Sequence, residues 1–158
     1  MLFAACATPE AVMETEPEEA EELAVPEWYS SDLYASSDSL AVYGFAMASA
    51  ADSASAAGYS KESSIQNLKF EIDRLAEEAR RDLADEHGSP FADTSFIIDL
   101  RNTIRDLEVN STGFTVEHEE TESGIHYIYT KAVLSRADLI SLLQQSIQSG
   151  VLLQKLSP

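Results

Sequence analysis

The sequence predicts an α+β fold, with a small antiparallel or mixed sheet of about three to four strands packed against one long helix and two shorter helices. Residues 40–47 are apolar on both alternating faces, which is typical of a strand in the middle of a sheet. Residues 65–83 repeat apolar side chains at helical spacing. Segment 114–119 alternates in character, and segment 125–135, beyond a polar turn, is rich in β-branched and aromatic residues, which indicates a hairpin.

Composition indicates one domain and excludes some partners. The 158 residues are 44% hydrophobic, which is ordinary for a globular chain with a core. Ten basic residues against 28 acidic ones give a net charge of −18. Nucleic acid is therefore not an expected partner, because phosphate binding needs clustered Lys and Arg. So much acid also suggests a high-salt habitat, in which screening weakens self-repulsion.

The acidic residues are concentrated near the N-terminus, where residues 1–60 contain 11 Asp and Glu and no Lys or Arg. Residues 7–27 combine three prolines with glutamates. Self-repelling charge together with proline predicts an acidic flexible linker over 7–27. A short frayed helix over 18–24 is the alternative.

The first strand, 40–47, is expected to present two different apolar faces. Gly44 would let the backbone of a helix approach closely, because it has no side chain. The strand should therefore be covered by a helix on at least one side. One face carries Tyr43, Phe45 and Met47, and the other carries Leu40, Val42, Gly44 and Ala46.

A long helix follows, beginning near residue 50, passing through Gly58 and ending at "HGSP" (87–90). Its opposite face is charged, and three predicted i,i+4 pairs, Lys69–Asp73, Arg74–Glu78 and Glu77–Arg81, support it. We expect this charged face to be solvated. The buried face is predicted to hold Ala50, Ala54, Ala57, Ile65, Leu68, Ile72, Leu75, Ala76, Ala79 and Leu83, and the charged face to hold Lys69, Asp73, Arg74, Glu77, Glu78, Arg80, Arg81 and Asp82.

Two shorter helices complete the pattern. Asp93 is a good N-cap for a helix over 94–108. Ser135, three residues before Asp138, makes an acidic variant of the capping box for a helix over 136–149, which Gly150 should stop. Segment 151–156 is either a last edge strand or a tail packed on the sheet. The buried positions expected in these helices are Phe96, Leu100, Ile104, Leu107, Leu139, Leu142, Leu143 and Ile147.

Motifs of nucleophilic or phosphate chemistry do not occur in the sequence. Serines are plentiful, yet the chain contains no GxSxG, no SxxK, no GxxxxGK[ST] and no GxGxxG. The paired glutamates lack an apolar surrounding that would raise a carboxyl pKa for acid–base work. We therefore expect no catalytic residue, no cofactor and no enzymatic activity.

The histidines admit two interpretations. A hairpin around residue 122 would place His118 roughly opposite His126, and with Glu117 or Glu120 they would offer zinc ligands. Glu117, however, should point to the other face of the hairpin. A cross-strand pair on a surface hairpin is the alternative that we prefer, so no metal site is expected. An undetected enzyme that uses both histidines remains a third hypothesis for function.

The order of several short motifs resembles the bacterial twenty-kilodalton lipoprotein family (LPP-twenty type domain). Members have a Pro-x-Trp entry, a strand with Tyr/Val-Gly, an Ala-rich helix and a late aromatic strand. The resemblance covers residues 26–145. It implies protein–protein contact at the cell envelope and no catalysis, as does a likeness to the N-terminal part of a flagellar-assembly protein. The matching residues are Pro26, Trp28, Tyr43, Gly44, Ala79, Arg80, Leu83, Ala84, Tyr127 and Tyr129.

The resemblance also assigns a role to Cys6, the single cysteine. Phe3-Ala4-Ala5-Cys6 resembles a lipobox with Phe in the place of Leu. Only five residues precede Cys6 and none is basic, whereas a signal peptide needs a basic start and a longer apolar run. Residues 1–6 are therefore expected to be the end of a truncated signal peptide.

Three segments and one function follow from these observations. We expect a lipobox remnant (1–6), the acidic linker (7–27) and a single α+β domain (28–158). The resemblance implies a lipoprotein anchored through a lipid on Cys6 in the outer membrane, facing the periplasm or the cell surface, whose domain binds an envelope protein. The alternative is a soluble module, without lipid, for a basic protein or a small ligand.

Overall fold

The computed structural model describes residues 23–109 and 112–157. Cys6, the lipobox and most of the acidic linker lie outside these residues. Within them, two strands and two helices are followed by two more strands and two more helices. The elements are β1 (Ala35–Ser37), β2 (Ala41–Ala50), α1 (Ser53–His87), α2 (Thr94–Arg105), β3 (Gly113–Glu120), β4 (His126–Ser135), α3 (Arg136–Gln144) and α4 (Gly150–Leu156).

The four strands form one antiparallel sheet in the order β1-β2-β4-β3. The register pairs Val42 with Leu134 between the two central strands and Glu120 with His126 at the hairpin end. The α+β class and the long helix are thus confirmed. The described helices include three short ones instead of the two expected.

Gly44 brings α1 into close contact with β2, as predicted. A Cβ at this position would lie 2.1 Å from the carbonyl oxygen of Ser64 and 2.5 Å from the amide nitrogen of Leu68. The helix backbone therefore occupies the space of the missing side chain. This contact fixes one face of the sheet, which we call the helix-covered face.

The boundaries of α1 agree with the sequence. Asp52 caps its start by accepting a hydrogen bond from the amide of Ser55 at 2.8 Å. Gly88, with φ +68°, ends it and donates to the carbonyl of Ala84. The helix passes through Gly58 without interruption.

The buried face of α1 is predicted correctly in its second half and wrongly in its first. Leu68, Ile72, Ala76, Ala79 and Leu83 are buried, whereas Ala54 is exposed. Apolar spacing misses the start of the helix because two buried serines replace apolar residues there. The buried positions of that first half are Ala56, Ser60 and Ser64.

Arg80 corrects the prediction that the charged face is solvated throughout. Its side chain is only 9% exposed. The guanidinium is buried because Glu77 accepts two hydrogen bonds from it, each 2.9 Å long, and the carbonyl of Phe91 accepts a third at 2.6 Å. Two predicted pairs, Arg74–Glu78 and Glu77–Arg81, are present at 3.0 and 2.8 Å.

The third predicted pair, Lys69–Asp73, is replaced by a different contact. Lys69 Nζ donates to the backbone carbonyl of Arg105 at 3.2 Å. That carbonyl lies at the end of α2, where helical backbone oxygens lack partners within the helix. The contact therefore ties α2 to α1.

The C-terminal part differs most from expectation. Helix α3 begins at its predicted capping box, in which Ser135 Oγ accepts from the Asp138 amide at 3.0 Å, but it ends at Gln144. Gly150 does not stop it, and instead begins α4, whose N-cap is Ser149. Segment 151–156 is thus a helix, because Leu152, Leu153 and Leu156 bury one face against the core.

Two further differences concern short elements. β1 was not predicted, because its sequence Ala-Ser-Ser has no apolar pattern; pairing with β2 and a hydrogen bond of 2.6 Å from the Ser37 hydroxyl to Glu71 hold it. Helix α2 begins after its predicted N-cap, Asp93, but ends at Arg105 and not at residue 108. Leu107, just beyond, is still buried.

The core lies between the helix-covered face of the sheet and the four helices. Sheet residues from β2 and β4 meet the apolar face of α1, and the short helices close the sides. Its largest fully buried side chains are Val42, Leu68, Ile72, Leu83, Thr130, Leu134, Leu139, Leu143 and Leu152, together with Ser60 and Ser64.

Candidate functional site

The sheet face opposite α1 is lined with aromatic side chains. Alternate residues of β2 and β4 point to this face, and Phe45 pairs with Lys131 while Met47 pairs with Tyr129. Aromatic rings from the segment before β1 cover it further. We call this surface the aromatic face and define it by Trp28, Tyr29, Tyr43, Phe45, Tyr127 and Tyr129.

The N-terminal end of the described chain builds the outer layer of the aromatic face. Trp28 stacks on Phe45 with ring centroids 6.3 Å apart, and Tyr29 meets Tyr129 edge-on at 5.0 Å. Pro26 is buried and accepts a hydrogen bond from the amide of Tyr29 at 2.9 Å. The end of the segment expected to be a linker is therefore part of the folded domain.

Two polar contacts hold Trp28 in place. Its Nε1 donates to Glu117 Oε1 on β3 at 2.5 Å. Lys131 Nζ lies 5.1 Å from the ring centroid, within the range of a cation–π contact. Because the Trp28 ring is held from two sides, it would lose little further conformational entropy when a partner binds, which favours binding.

The aromatic face is only partly closed. Phe45 and Tyr129 are buried, Tyr43 and Tyr127 are half-buried, and Met47 on the same face is 40% exposed. The adjacent strand β3 contributes Glu117 and Glu119 to this side of the sheet, through the register Glu117–Tyr129 and Glu119–Tyr127. The surface is thus apolar at its centre and acidic along one edge.

The histidines form a second cluster, on the helix-covered face at the hairpin end. His118 Nε2 lies 2.9 Å from His126 Nδ1, and Glu120 Oε2 lies 3.6 Å from the same Nδ1. One ligand atom from each of the three side chains lies within 4.8 Å of the others. We call these residues the histidine cluster.

The predicted register of this hairpin was wrong by two residues. His118 pairs with Ile128, and it is Glu120 that faces His126 directly. His118 still reaches His126 diagonally, because both point to the same face. Glu117 points to the other face, as predicted, and binds Trp28 there.

Carboxylates with lowered pKa values elsewhere have structural explanations. Backbone amides of Ala41 and Leu40 donate to Asp38 and lower its pKa. The Ser55 amide does the same for the N-cap Asp52, and the hydroxyl and amide of Ser95 do so for the N-cap Asp93. These groups hold turns and helix starts, so their shifts do not indicate acid–base catalysis.

The motif residues of the resemblance fall in three places. Gly44 lies under α1, and Ala79, Arg80 and Leu83 lie on the buried side of that helix. Trp28, Tyr43, Tyr127 and Tyr129 belong to the aromatic face, and Pro26 lies beside it. Sequence reasoning placed Phe45 correctly on the face of Tyr43 and Met47. It missed Tyr29 and Lys131 as parts of this surface, although the alternation of β4 could have revealed Lys131.

Comparison with protein-family models, with curated proteins and with solved structures finds no match to this chain.

Among the helices described, none is both long enough and apolar enough to cross a bilayer.

Proposed function

We propose that this protein is a non-enzymatic lipoprotein of the bacterial cell envelope, anchored through Cys6, whose α+β domain binds another protein. The observation that carries the proposal is the aromatic face, at the point where the acidic linker enters the domain. The lipid supplies the membrane partner, and the aromatic face supplies the protein contact. The location is the outer membrane, facing the periplasm or the cell surface.

The composition of the aromatic face supports a protein partner. Interfaces are enriched in Tyr, Trp and Phe at their centres, and such rings carry a large share of binding energy. Trp28, Tyr43 and Tyr127 offer half-buried rings on a rigid sheet. The partner is expected to present an apolar patch that covers these rings.

The charge around the aromatic face sets the partner's chemistry. Glu117 and Glu119 border it on β3, and the chain as a whole carries a charge of −18. Electrostatic complementarity therefore favours a partner with Lys or Arg at the rim of its patch. The same charge disfavours direct contact with anionic lipid headgroups.

The acidic linker is suited to hold the domain near a membrane without contact between the domain and the lipid headgroups. A flexible segment with the composition of residues 7–25 spans about 25 Å on average. Stable attachment needs two or more acyl chains, which lipidation of Cys6 would supply. The chain then reaches the folded domain at Pro26, beside the aromatic face, so the partner is expected within this distance of the membrane.

Mass spectrometry tests the anchor. The protein is expressed from its own gene in its native cell, and the N-terminal peptide of the membrane fraction is analysed. We expect a diacyl- or triacyl-modified Cys6, and loss of membrane association in Cys6→Ser. An unmodified Cys6 in a protein of the soluble fraction would refute the anchor and favour the soluble module.

Site-specific photo-crosslinking tests the aromatic face. A photoreactive amino acid at Met47 is compared with one at Glu62, an exposed position on α1. We expect a crosslink to one envelope protein from Met47, weakened by Tyr43→Ala and by high salt, and none from Glu62. Equal crosslinks from both positions, or none from Met47, would contradict a binding role for this face.

A further inference from the structure

We propose that the histidine cluster is a zinc site, with His118 Nε2, His126 Nδ1 and a carboxylate oxygen of Glu120 as ligands. This site is separate from the aromatic face, because its side chains point to the opposite side of the sheet. It is independent of the lipid anchor and of the protein partner.

The distances fit a tetrahedral ion with small side-chain movements. With zinc–nitrogen bonds of about 2.0–2.1 Å, two ligands of a tetrahedral ion lie about 3.3 Å apart. The ring nitrogens of His118 and His126 are 2.9 Å apart, and Glu120 Oε2 is 3.6 Å from His126 Nδ1. Rotations that change these two separations by a few tenths of an ångström, and that close the His118–Glu120 separation from within 4.8 Å, would seat the ion.

The backbone around the cluster is rigid. His126 and Glu120 form the last pair of the β3–β4 ladder. Beyond it, the Thr121 amide donates to Ile125 O at 3.0 Å and the Gly124 amide donates to Thr121 O at 2.9 Å. The Thr121 hydroxyl accepts from the Ile125 amide at 2.9 Å. A closed turn therefore holds the ligands together before an ion binds.

The ligand types favour zinc over the common hard cations. Imidazole nitrogen suits zinc and related transition metals, whereas magnesium and calcium prefer sites built of oxygen. Two histidines and one glutamate form a set of three protein ligands that leaves a fourth position for water or for another group. His126 is 18% exposed and Glu120 is 54% exposed, so an ion can reach the site from solvent.

Calorimetric titration of the whole chain with zinc chloride tests this proposal. The titration is done in a Cys6→Ser background, which removes a competing thiolate ligand. We expect one site whose affinity falls by about tenfold or more in His118→Ala and in His126→Ala, because each removes a ligand. The matched control is His87→Ala, whose imidazole lies outside the cluster and which should leave the affinity unchanged.

Circular dichroism verifies that each variant is folded. X-ray absorption spectroscopy of the zinc-loaded, unaltered protein identifies the ligand atoms without any substitution. A spectrum that shows two imidazoles bound to zinc supports the site. Coordination by oxygen alone would overturn it, as would equal zinc affinity in the His118→Ala, His126→Ala and His87→Ala chains.

Discussion

Gly44 shows how one residue sets the distance between two elements. The Ser64 carbonyl and the Leu68 amide of α1 occupy the space where a side chain would lie. Since these are backbone atoms of a 35-residue helix, they cannot move aside independently. The requirement for glycine followed from the sequence, because Gly44 interrupts an otherwise apolar strand face.

We expect Gly44→Ala to destabilise the protein by about 3 kcal/mol or more, since the added methyl group meets helix backbone that must shift. Urea denaturation measures the change. The control is Gly58→Ala in α1, where an added Cβ meets nothing within 4 Å. That substitution should stabilise by about 0.5–1 kcal/mol through helix propensity. Equal stability of Gly44→Ala and the unaltered chain would contradict the close approach.

Polar residues inside α1 show the limit of apolar periodicity. Ser60 is buried, and its hydroxyl lies 2.8 Å from Thr130 Oγ1 and 3.2 Å from the Ala46 carbonyl oxygen. Buried hydroxyls of this kind are stable only when they are hydrogen-bonded. The partners of Ser60 lie on β2 and β4, so the pattern of α1 alone could not identify it as a core residue.

Helix α1 carries a largely buried charge cluster that joins it to the loop before α2. Glu77 binds both Arg80 and Arg81, and Arg80 continues to the Phe91 carbonyl. The hydrogen bonds from Arg80, followed by those from Arg81, lower the pKa of Glu77 from 4.5 to about 2. The Glu77 side chain is 17% exposed, so solvent screens this cluster only in part.

The stability of the cluster should depend on pH in the acid range. Because the Glu77 pKa is lower in the folded protein, its contribution is complete above pH 4.5 and is lost as the pH falls towards about 2. The contribution is on the order of 3 kcal/mol. We expect Glu77→Gln to be less stable at neutral pH and to lose less stability across this range.

Urea unfolding from pH 2 to pH 7 measures this effect. The control is Glu78→Gln, which alters a carboxylate that is 64% exposed in the same helix. Its acid profile should follow that of the unaltered chain. Parallel profiles for Glu77→Gln and the unaltered chain would show that the Glu77–Arg80 pair does not contribute as the structure suggests.

The whole molecule is dominated by negative charge. With 28 acidic and 10 basic residues, repulsion between like charges opposes folding. Salt shortens the range of this repulsion from about 10 Å at 0.1 M to about 3 Å at 1 M. Screening by salt should therefore stabilise the folded chain.

We expect the melting temperature to rise by several degrees between low and molar sodium chloride. Differential scanning calorimetry measures the change, and a chain with the eight Glu of residues 7–27 replaced by Gln is the control. This control should respond less, because much of the repulsion is removed. A melting temperature that does not rise in the unaltered chain would count against the high-salt hypothesis.

The element types, the two faces of β2 and the starts of α2 and α3 followed from the sequence. Apolar spacing indicates which face of an element is buried whatever lies against it, and caps such as Asp93 and Ser135 act within a few residues. The two rows of rings on the aromatic face were likewise implied by the alternation of β2 and β4. Local rules of this kind depend only on near neighbours in the chain.

The remaining features depended on how distant segments meet. The two-residue difference in the β3–β4 register, the burial of Arg80 and the packing of Trp28 over Lys131 each depend on contacts that no local pattern specifies. Shifts of a few tenths of an ångström between two elements decide whether such contacts form. Tertiary packing sets those distances, so the sequence could indicate the rings of β2 and β4 and the proximity of the two histidines, but not that Trp28 covers the aromatic face.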